Sequence, residues 1–230
     1  VHSMLTEVTF CLTLYLTVLA IEYLPLVLRN RQLKKRPSML VFEFELHKVM
    51  AVFALVGTFL SFFHQGSLGG LYGVLQGRPF AYRESLAAWP STFFLFILSA
   101  AAVGPSFVLA TTWIVSKVSG RRLVKAEVFD LLARVSGSLL LVYVLAKSVD
   151  TLVWINRTSF QLGVHPASFY AFAPFGTWAL FTEIVLLGLV PALLLALPRT
   201  RRYLRLVVPA AFLACAGVAT NRFVMTVQTL

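Results

Sequence analysis

Cysteine is scarce in this sequence: Cys11 and Cys215 are the only two, and both lie inside apolar runs. No CxxC pair, zinc site or four-thiolate iron–sulfur cluster can be assembled from them, so any such cluster has to sit on a partner. Charge is equally thin. Only 13% of the 230 residues are charged and 59% are hydrophobic, with a mean hydropathy of +0.83. A soluble domain holds roughly 45–50% apolar residues. One core of this size cannot hide the excess, so lipid has to be the solvent for much of the chain. Acidic residues are the rarer sign, nine against twenty basic ones, for a net charge of +11. In a soluble protein that balance would point to nucleic acid; in a membrane protein it is sorted loop by loop, and no nucleic-acid partner is expected. The chain also opens without a methionine and without the basic, short-apolar, small-residue order of a signal peptide. It reads as a piece of a longer protein.

What is abundant is long apolar sequence. A span needs about 20 apolar residues at 1.5 Å each to cross about 30 Å of hydrocarbon. Six stretches qualify, at about 5–28, 46–63, 91–116, 129–155, 174–197 and 204–219. All exceed the roughly 9–11 residues of a barrel strand, and none alternates with period two. The expected fold is all-α, a polytopic transmembrane helix bundle of about six spans forming one domain over 1–230. Turn signals at Arg36-Pro37, Gly77 to Pro79, Ser119-Gly120, His165-Pro166 and Pro198 separate the spans. Pro25, Pro105 and Pro191 fall inside spans and are expected to kink or break them.

The basic residues then fall into place. Arg29, Arg31, Lys34, Lys35, Arg36 and Lys48 follow the first span; Lys117, Arg121, Arg122 and Lys125 the third; Arg199, Arg201, Arg202 and Arg205 the fifth. The intervening loops hold only Arg78 and Arg83, then Arg157. Fourteen of the twenty basic residues thus sit in every second loop. The positive-inside rule turns those loops to the cytoplasm and both ends of the segment outward. The location expected is the inner (cytoplasmic) membrane of a bacterial or archaeal cell.

Ionisable groups at membrane depth are functional candidates by default. Glu7 and Glu22 lie on the first span, Lys147 and Asp150 on the fourth, Glu183 on the fifth, and Asn221 and Arg222 close the sixth. The derived orientation puts Glu7, Lys147, Asp150 and Arg222 toward the outer side, with His64 marking the outer end of the second span, and Glu22 toward the cytoplasm. Each has a structural alternative. Lys147 and Asp150, three apart on one helical face, can neutralise each other; Arg222 can snorkel to headgroups; Glu22 and Glu183 can be neutral, hydrogen-bonded acids. Bis-histidine haem is not expected: His47 and His64 are about 25 Å apart along a helix, while His2 and His165 lie in flanking or loop sequence. The most specific string is His64-Gln65-Gly66-Ser67-Leu68-Gly69-Gly70. It sets an imidazole, an amide and a hydroxyl beside three glycines, which suits either a carbonyl-bearing headgroup held close to backbone or a glycine-rich helix cap.

The run from Glu43 to Thr111 resembles the NrfD/polysulfide-reductase family of integral membrane subunits, within it the HybB-type hydrogenase membrane subunits. The residues that carry the likeness are Leu46-His47-Lys48-Val49-Met50, the His64 to Gly69 string and Gly104. Glu7 to Cys11, Leu19 to Pro25 and Asn221-Arg222-Phe223 extend it to the first and last spans. The resemblance implies that the chain covers the middle and late helices of a fold with about ten spans. It implies no intrinsic haem or iron–sulfur cluster and no metal. It also implies a quinone, menaquinone or ubiquinone, bound as exchangeable substrate near the positive side. The implied partners are a four-cluster ferredoxin-like iron–sulfur subunit and a catalytic subunit or cytochrome, within membrane lipid. Electrons would pass between the iron–sulfur partner and the quinone pool, with proton translocation in some members. Quinone-side or proton-exchange roles carry over to Glu7 and His64, supported by Gln65 and Ser67. Glu22, Lys147, Asp150, Glu183 and Arg222 carry over as proton-path or buried polar residues. Thr111 departs from the family, which has an acid there in its hydrogenase members. The reading from a different class is a secondary transporter or ion-translocating protein that uses the intramembrane acids, although no repeated halves support it.

Overall fold

The computed structural model of the chain describes residues 4–28, 37–73, 91–121, 124–172 and 176–229. Among them there is helix and no strand. The long elements are α1 (Met4–Leu28), α2 (Pro37–Gly73), α3 (Ser91–Ser119) and α4 (Ala126–Val153). A π-helical segment, π1 (Trp154–Thr158), and α5 (Ser159–Gln161) prolong α4, and α6 (Pro166–Phe172) follows. The next crossing is composite: α7 (Thr177–Phe181), a second π-helical segment π2 (Thr182–Leu189) and α8 (Val190–Ala196). The short α9 (Pro198–Arg201) leads into α10 (Leu204–Thr229). Six of these stretches are long and apolar enough to cross a membrane, as the sequence leads one to expect. The protein is a multi-span integral membrane protein.

The chain groups into two compact units, Val1–Leu71 and Tyr72–Leu230. In the first, α1 and α2 meet at Gly57, where an added methyl would lie 3.1 Å from Val18 Cγ1 and 3.4 Å from Glu22 Oε1. The connection between the two helices, residues 29–36, is too short to join them in parallel at that register, so they run antiparallel. Arg29, Arg31, Lys34, Lys35 and Arg36 lie outside the described residues, as do Arg78 and Arg83.

α2 differs most from its expected bounds. It starts at Pro37, with proline at the helix start where a missing N–H is harmless, and it continues through the whole His64 to Gly70 string. Two expectations change as a result. Lys48 is no loop residue: it sits on α2, ion-paired at 2.8 Å to Glu45 and over the Phe44 ring. His64 does not mark the end of the span but lies within an apolar window that reaches Gly70. The glycines do not cap the helix, because a backbone in lipid that leaves the helix would strand its N–H and C=O groups. α10 likewise continues to Thr229 rather than stopping near residue 219.

The second unit is packed through small residues. Leu95, Ala102, Leu140, Val144, Ala192 and Ala214 form one buried cluster, and Leu109, Ala133, Leu195, Val207, Ala210 and Ala211 another. Large side chains such as Leu145, Phe107 and Phe223 face outward. Lipid tails are as apolar as leucine, so the helices gain by close backbone approach rather than by hiding oily groups. Gly137 brings α4 against the Leu195 and Ala196 backbone of α8. Ser136 on α4 donates to Ala102 O of α3 at 2.6 Å and pairs with Ser106 at 2.6 Å. Pro25 and Pro105 are accommodated without interrupting α1 or α3. Pro191 has a visible effect, since it removes the N–H that would bond Leu187 O and directly follows the widened turns of π2. Gly217 of α10 packs against that same carbonyl.

A methyl on Gly217 would stand 2.7 Å from Leu187 O, so Gly217→Leu is expected to lower stability by about 1–3 kcal/mol or more. Gly104→Ala enters open space in mid-helix and is expected to leave the melting temperature unchanged or slightly higher. Thermal unfolding of the two variants in one detergent checks the contrast.

Candidate functional site

Four elements of the second unit each contribute a polar side chain to one buried chain of bonds. Lys147 Nζ on α4 donates to Glu183 Oε1 on π2, and both side chains are almost fully buried. The same oxygen accepts Asn221 Nδ2 from α10 at 2.6 Å. Asn221 Oδ1 accepts Arg222 Nη1 at 2.7 Å. Arg222 Nη2 then reaches α3, donating to Ser99 Oγ at 2.7 Å and to Phe96 O at 3.2 Å. Its guanidinium lies over the Phe96 ring, 3.4 Å from the centroid. Asp150 is buried one turn beyond Lys147.

The geometry of the backbone explains the convergence. Lys147 lies near the end of α4, Glu183 near the start of the following crossing, Asn221 and Arg222 late on α10, and Phe96 and Ser99 early on α3. Helices that alternate in direction bring those positions to one level at one end of the unit. Gly188 lets π2 approach α4, since a methyl there would meet Val144 Cγ2 at 2.9 Å. A charge in such surroundings is tolerated only with a partner. Lys147 and Glu183 meet that demand for each other, while Asn221 joins the carboxylate to the second cation. Glu183 uses one oxygen twice. Its Oε2 is buried and has no hydrogen-bond partner among the described residues, which leaves an acceptor for a proton or for water.

The first unit holds the other candidates. Gly66, Ser67, Gly69 and Gly70 are buried, and His64 and Gln65 are half-buried. His64 Nδ1 is buried without a hydrogen-bond partner among the described residues. Glu7 lies on α1, although its side chain is outside the described ones. With the register set at Gly57, the antiparallel pair places Glu7 about 10 Å beyond His64 toward the same end. Glu22 packs beside Gly57, deeper in the span. His47 is exposed and lies on the same helix as His64, about 25 Å along α2 from it.

Of the residues that the sequence singles out, Lys147, Glu183 and Arg222 come together. Lys147 bonds across to Glu183, which sequence spacing does not indicate, Asp150 being the nearer acid along the chain. Arg222 does not snorkel outward; it turns inward to Ser99 and Phe96. Asn221 and Ser99 are the residues that the sequence underrates. An amide next to an intramembrane arginine was a usable signal, whereas a serine on an apolar helix gave none. Thr111 turns its hydroxyl back on its own helix, to Phe107 O at 2.8 Å and Val108 O at 3.1 Å. No three metal-ligating side chains cluster among the described residues.

Among curated proteins, the chain is similar to a menaquinone reductase integral membrane subunit of Nitratidesulfovibrio vulgaris (strain Hildenborough), at 46% identity over all of this chain and 55% of that protein. The chain therefore spans about half the length of the curated relative that it matches. No family model matches, and no solved structure does.

Removing one member of the buried pair strands the other. Glu183→Leu is expected to destabilise the protein by about 3–5 kcal/mol. The double substitution Lys147→Met with Glu183→Leu is expected to recover most of that loss, since no bare charge remains. Thermal unfolding of both variants in detergent measures the recovery.

Proposed function

We propose that the chain is part of a quinone-reactive membrane subunit of the NrfD/polysulfide-reductase family, passing electrons between an iron–sulfur partner and menaquinone in the membrane. The observation that carries this reading is the similarity, along all of this chain, to a menaquinone reductase membrane subunit. The residue that gives it chemistry is His64. Reducing a quinone takes up a proton at each oxygen. An imidazole whose Nδ1 is buried in an apolar window and bonded to no described group is suited to hydrogen-bond a quinone oxygen and to exchange that proton. Gln65 and Ser67 stand beside it to hold the headgroup. The glycines on the same helix let a flat ring approach the backbone. Glu7, farther toward the helix end, connects His64 to water.

In this reading the Lys147–Glu183–Asn221–Arg222 chain is a second polar layer, with Asp150 beside it and Glu22 on the other unit. Glu183 Oε2 is an atom in that layer that can take a proton. Thr111, bonded to its own helix, supplies no ionisable group at its level, so proton handling rests on His64, Glu7 and the Glu183 layer. The iron–sulfur and catalytic subunits are partners in the membrane complex. The basic loops face the cytoplasm, which puts the His64 end of α2 on the outer side, where the quinone is met.

In the intact complex in native membranes, His64→Ala is expected to lower quinone-coupled turnover by about 10²-fold or more. Assembly and turnover with a soluble artificial acceptor should persist. Unchanged quinone turnover would overturn the assignment of His64, and absence of an iron–sulfur subunit from the purified complex would overturn the electron-transfer reading itself.

A further inference from the structure

At the end of the second unit opposite the buried polar chain, the ends of α3, α4, α9 and α10 enclose a cavity of about 330 Å³. Thr112 and Ser116 offer hydroxyls to it, and Arg201 and Arg202 offer guanidinium groups, with Asp130 on its wall. Trp113 and Leu204 line this cavity and also a second, almost wholly apolar groove that continues along α10 past Val208 and Phe212 to Ala216. The two spaces therefore adjoin at Trp113 and Leu204. Trp113 forms the corner between them, held edge-on to Phe212 with ring centroids 6.2 Å apart.

Arg201 is the unusual member. Its side chain is 9% exposed and lies 3.2 Å from Asp130 Oδ1 through Nε. That Nε is nevertheless buried without an aligned hydrogen bond. Asp130 is 54% exposed, so solvent weakens its hold on the cation. A buried guanidinium with donors to spare, joined by the exposed Arg202 and by Arg205 at the mouth of the groove, is short of negative charge. Thr200 fixes the turn that presents them, its hydroxyl donating to Leu194 O at 2.7 Å and Leu197 O at 2.9 Å.

We infer that this composite site binds one anionic phospholipid, with the phosphate headgroup at Arg201 and Arg202 and an acyl chain in the groove along α10. Three features select that occupant. The polar cavity lies at the helix ends, where headgroups sit, and tryptophan at such a level belongs to the membrane interface. The local charge is cationic even after Asp130 is counted, and basic pockets between transmembrane helices on the side where basic loops collect are suited to acidic headgroups. The groove extends from Leu204 to Ala216, about 18 Å of helix. That is close to half of the roughly 30 Å hydrocarbon thickness, the depth of one leaflet and so of one acyl chain. A further spanning helix would need the full thickness, yet α10 continues to Thr229 beyond the groove.

The purified complex, stripped of lipid by detergent exchange, provides the test. Phosphatidylglycerol is expected to raise the melting temperature at concentrations where phosphatidylcholine and inorganic phosphate do not. Arg202→Gln, an exposed position whose loss should not unfold the protein, is expected to weaken the phosphatidylglycerol response about fivefold, and Arg201→Gln with Arg202→Gln more than tenfold, as befits one cationic contact per arginine. A photoreactive phenylalanine analogue at position 212 should cross-link to phospholipid. The inference is overturned by an equal response to phosphatidylcholine, by an equal response to inorganic phosphate, by an undiminished response in Arg202→Gln, or by cross-linking at position 212 to polypeptide in place of lipid.

Discussion

A lysine and a glutamate whose side chains are almost completely buried set the terms for the rest of the second unit. Each of Lys147 and Glu183 alone would be ruinous within hydrocarbon; together, with Asn221 on the shared oxygen, they form a neutral unit that can be buried. The requirement is geometric as well as electrostatic. The two residues lie on different crossings, so the ion pair exists only while α4 and π2 hold their spacing, and that spacing is set by Gly188 and Val144. Arg222 extends the same demand to α3, where Ser99 and the Phe96 carbonyl and ring receive its guanidinium.

The π-helical segment fits this scheme. A proline at position 191 removes one backbone donor, and the turns before it widen instead of breaking. The widened turns carry Glu183, while the Leu187 carbonyl faces Gly217. Backbone irregularity in a span is tolerated where neighbouring helices shelter it, and here α10 does so with a glycine. The residues that look merely permissive, Gly137, Gly188 and Gly217, are what allow three backbones to come close enough for polar side chains to meet.

Much of this was legible in the residues. Six apolar runs correspond to six spans, and the cost of burying charge marks Lys147, Glu183 and Arg222 from residue type alone. Less was legible at the ends of helices and in partner choice. α2 outran its expected limits because glycine ends helices in water but continues them in lipid, where no solvent is present to take up freed carbonyls. The bond from Lys147 to Glu183 is not readable from spacing, because sequence shows proximity along a helix, as between Lys147 and Asp150, and conceals proximity across one. Ser99 and the Phe96 carbonyl were invisible for a related reason: a serine on an apolar helix acquires meaning only from what the next helix aims at it. His64 was legible as a residue type and a motif, whereas its depth within the span followed only from the true length of α2.

The two ends of the second unit are closed by different means. One is pinned by a chain of short polar bonds through α4, π2, α10 and α3. The other is joined by the apolar cluster around Leu109 and Leu195 and by the Arg201–Asp130 pair, half open to solvent, at the wall of the cavity. Stiffness is therefore unequal along the helices. Tilting α10 against α3 at the pinned end breaks several directional bonds at once, whereas toward the opposite end the helices meet through Leu109, Ala133, Leu195, Val207, Ala210 and Ala211, apolar contacts that fix spacing but no direction. The polar end therefore sets the register of α10 at Glu183, and the apolar end sets only how closely the helices lie.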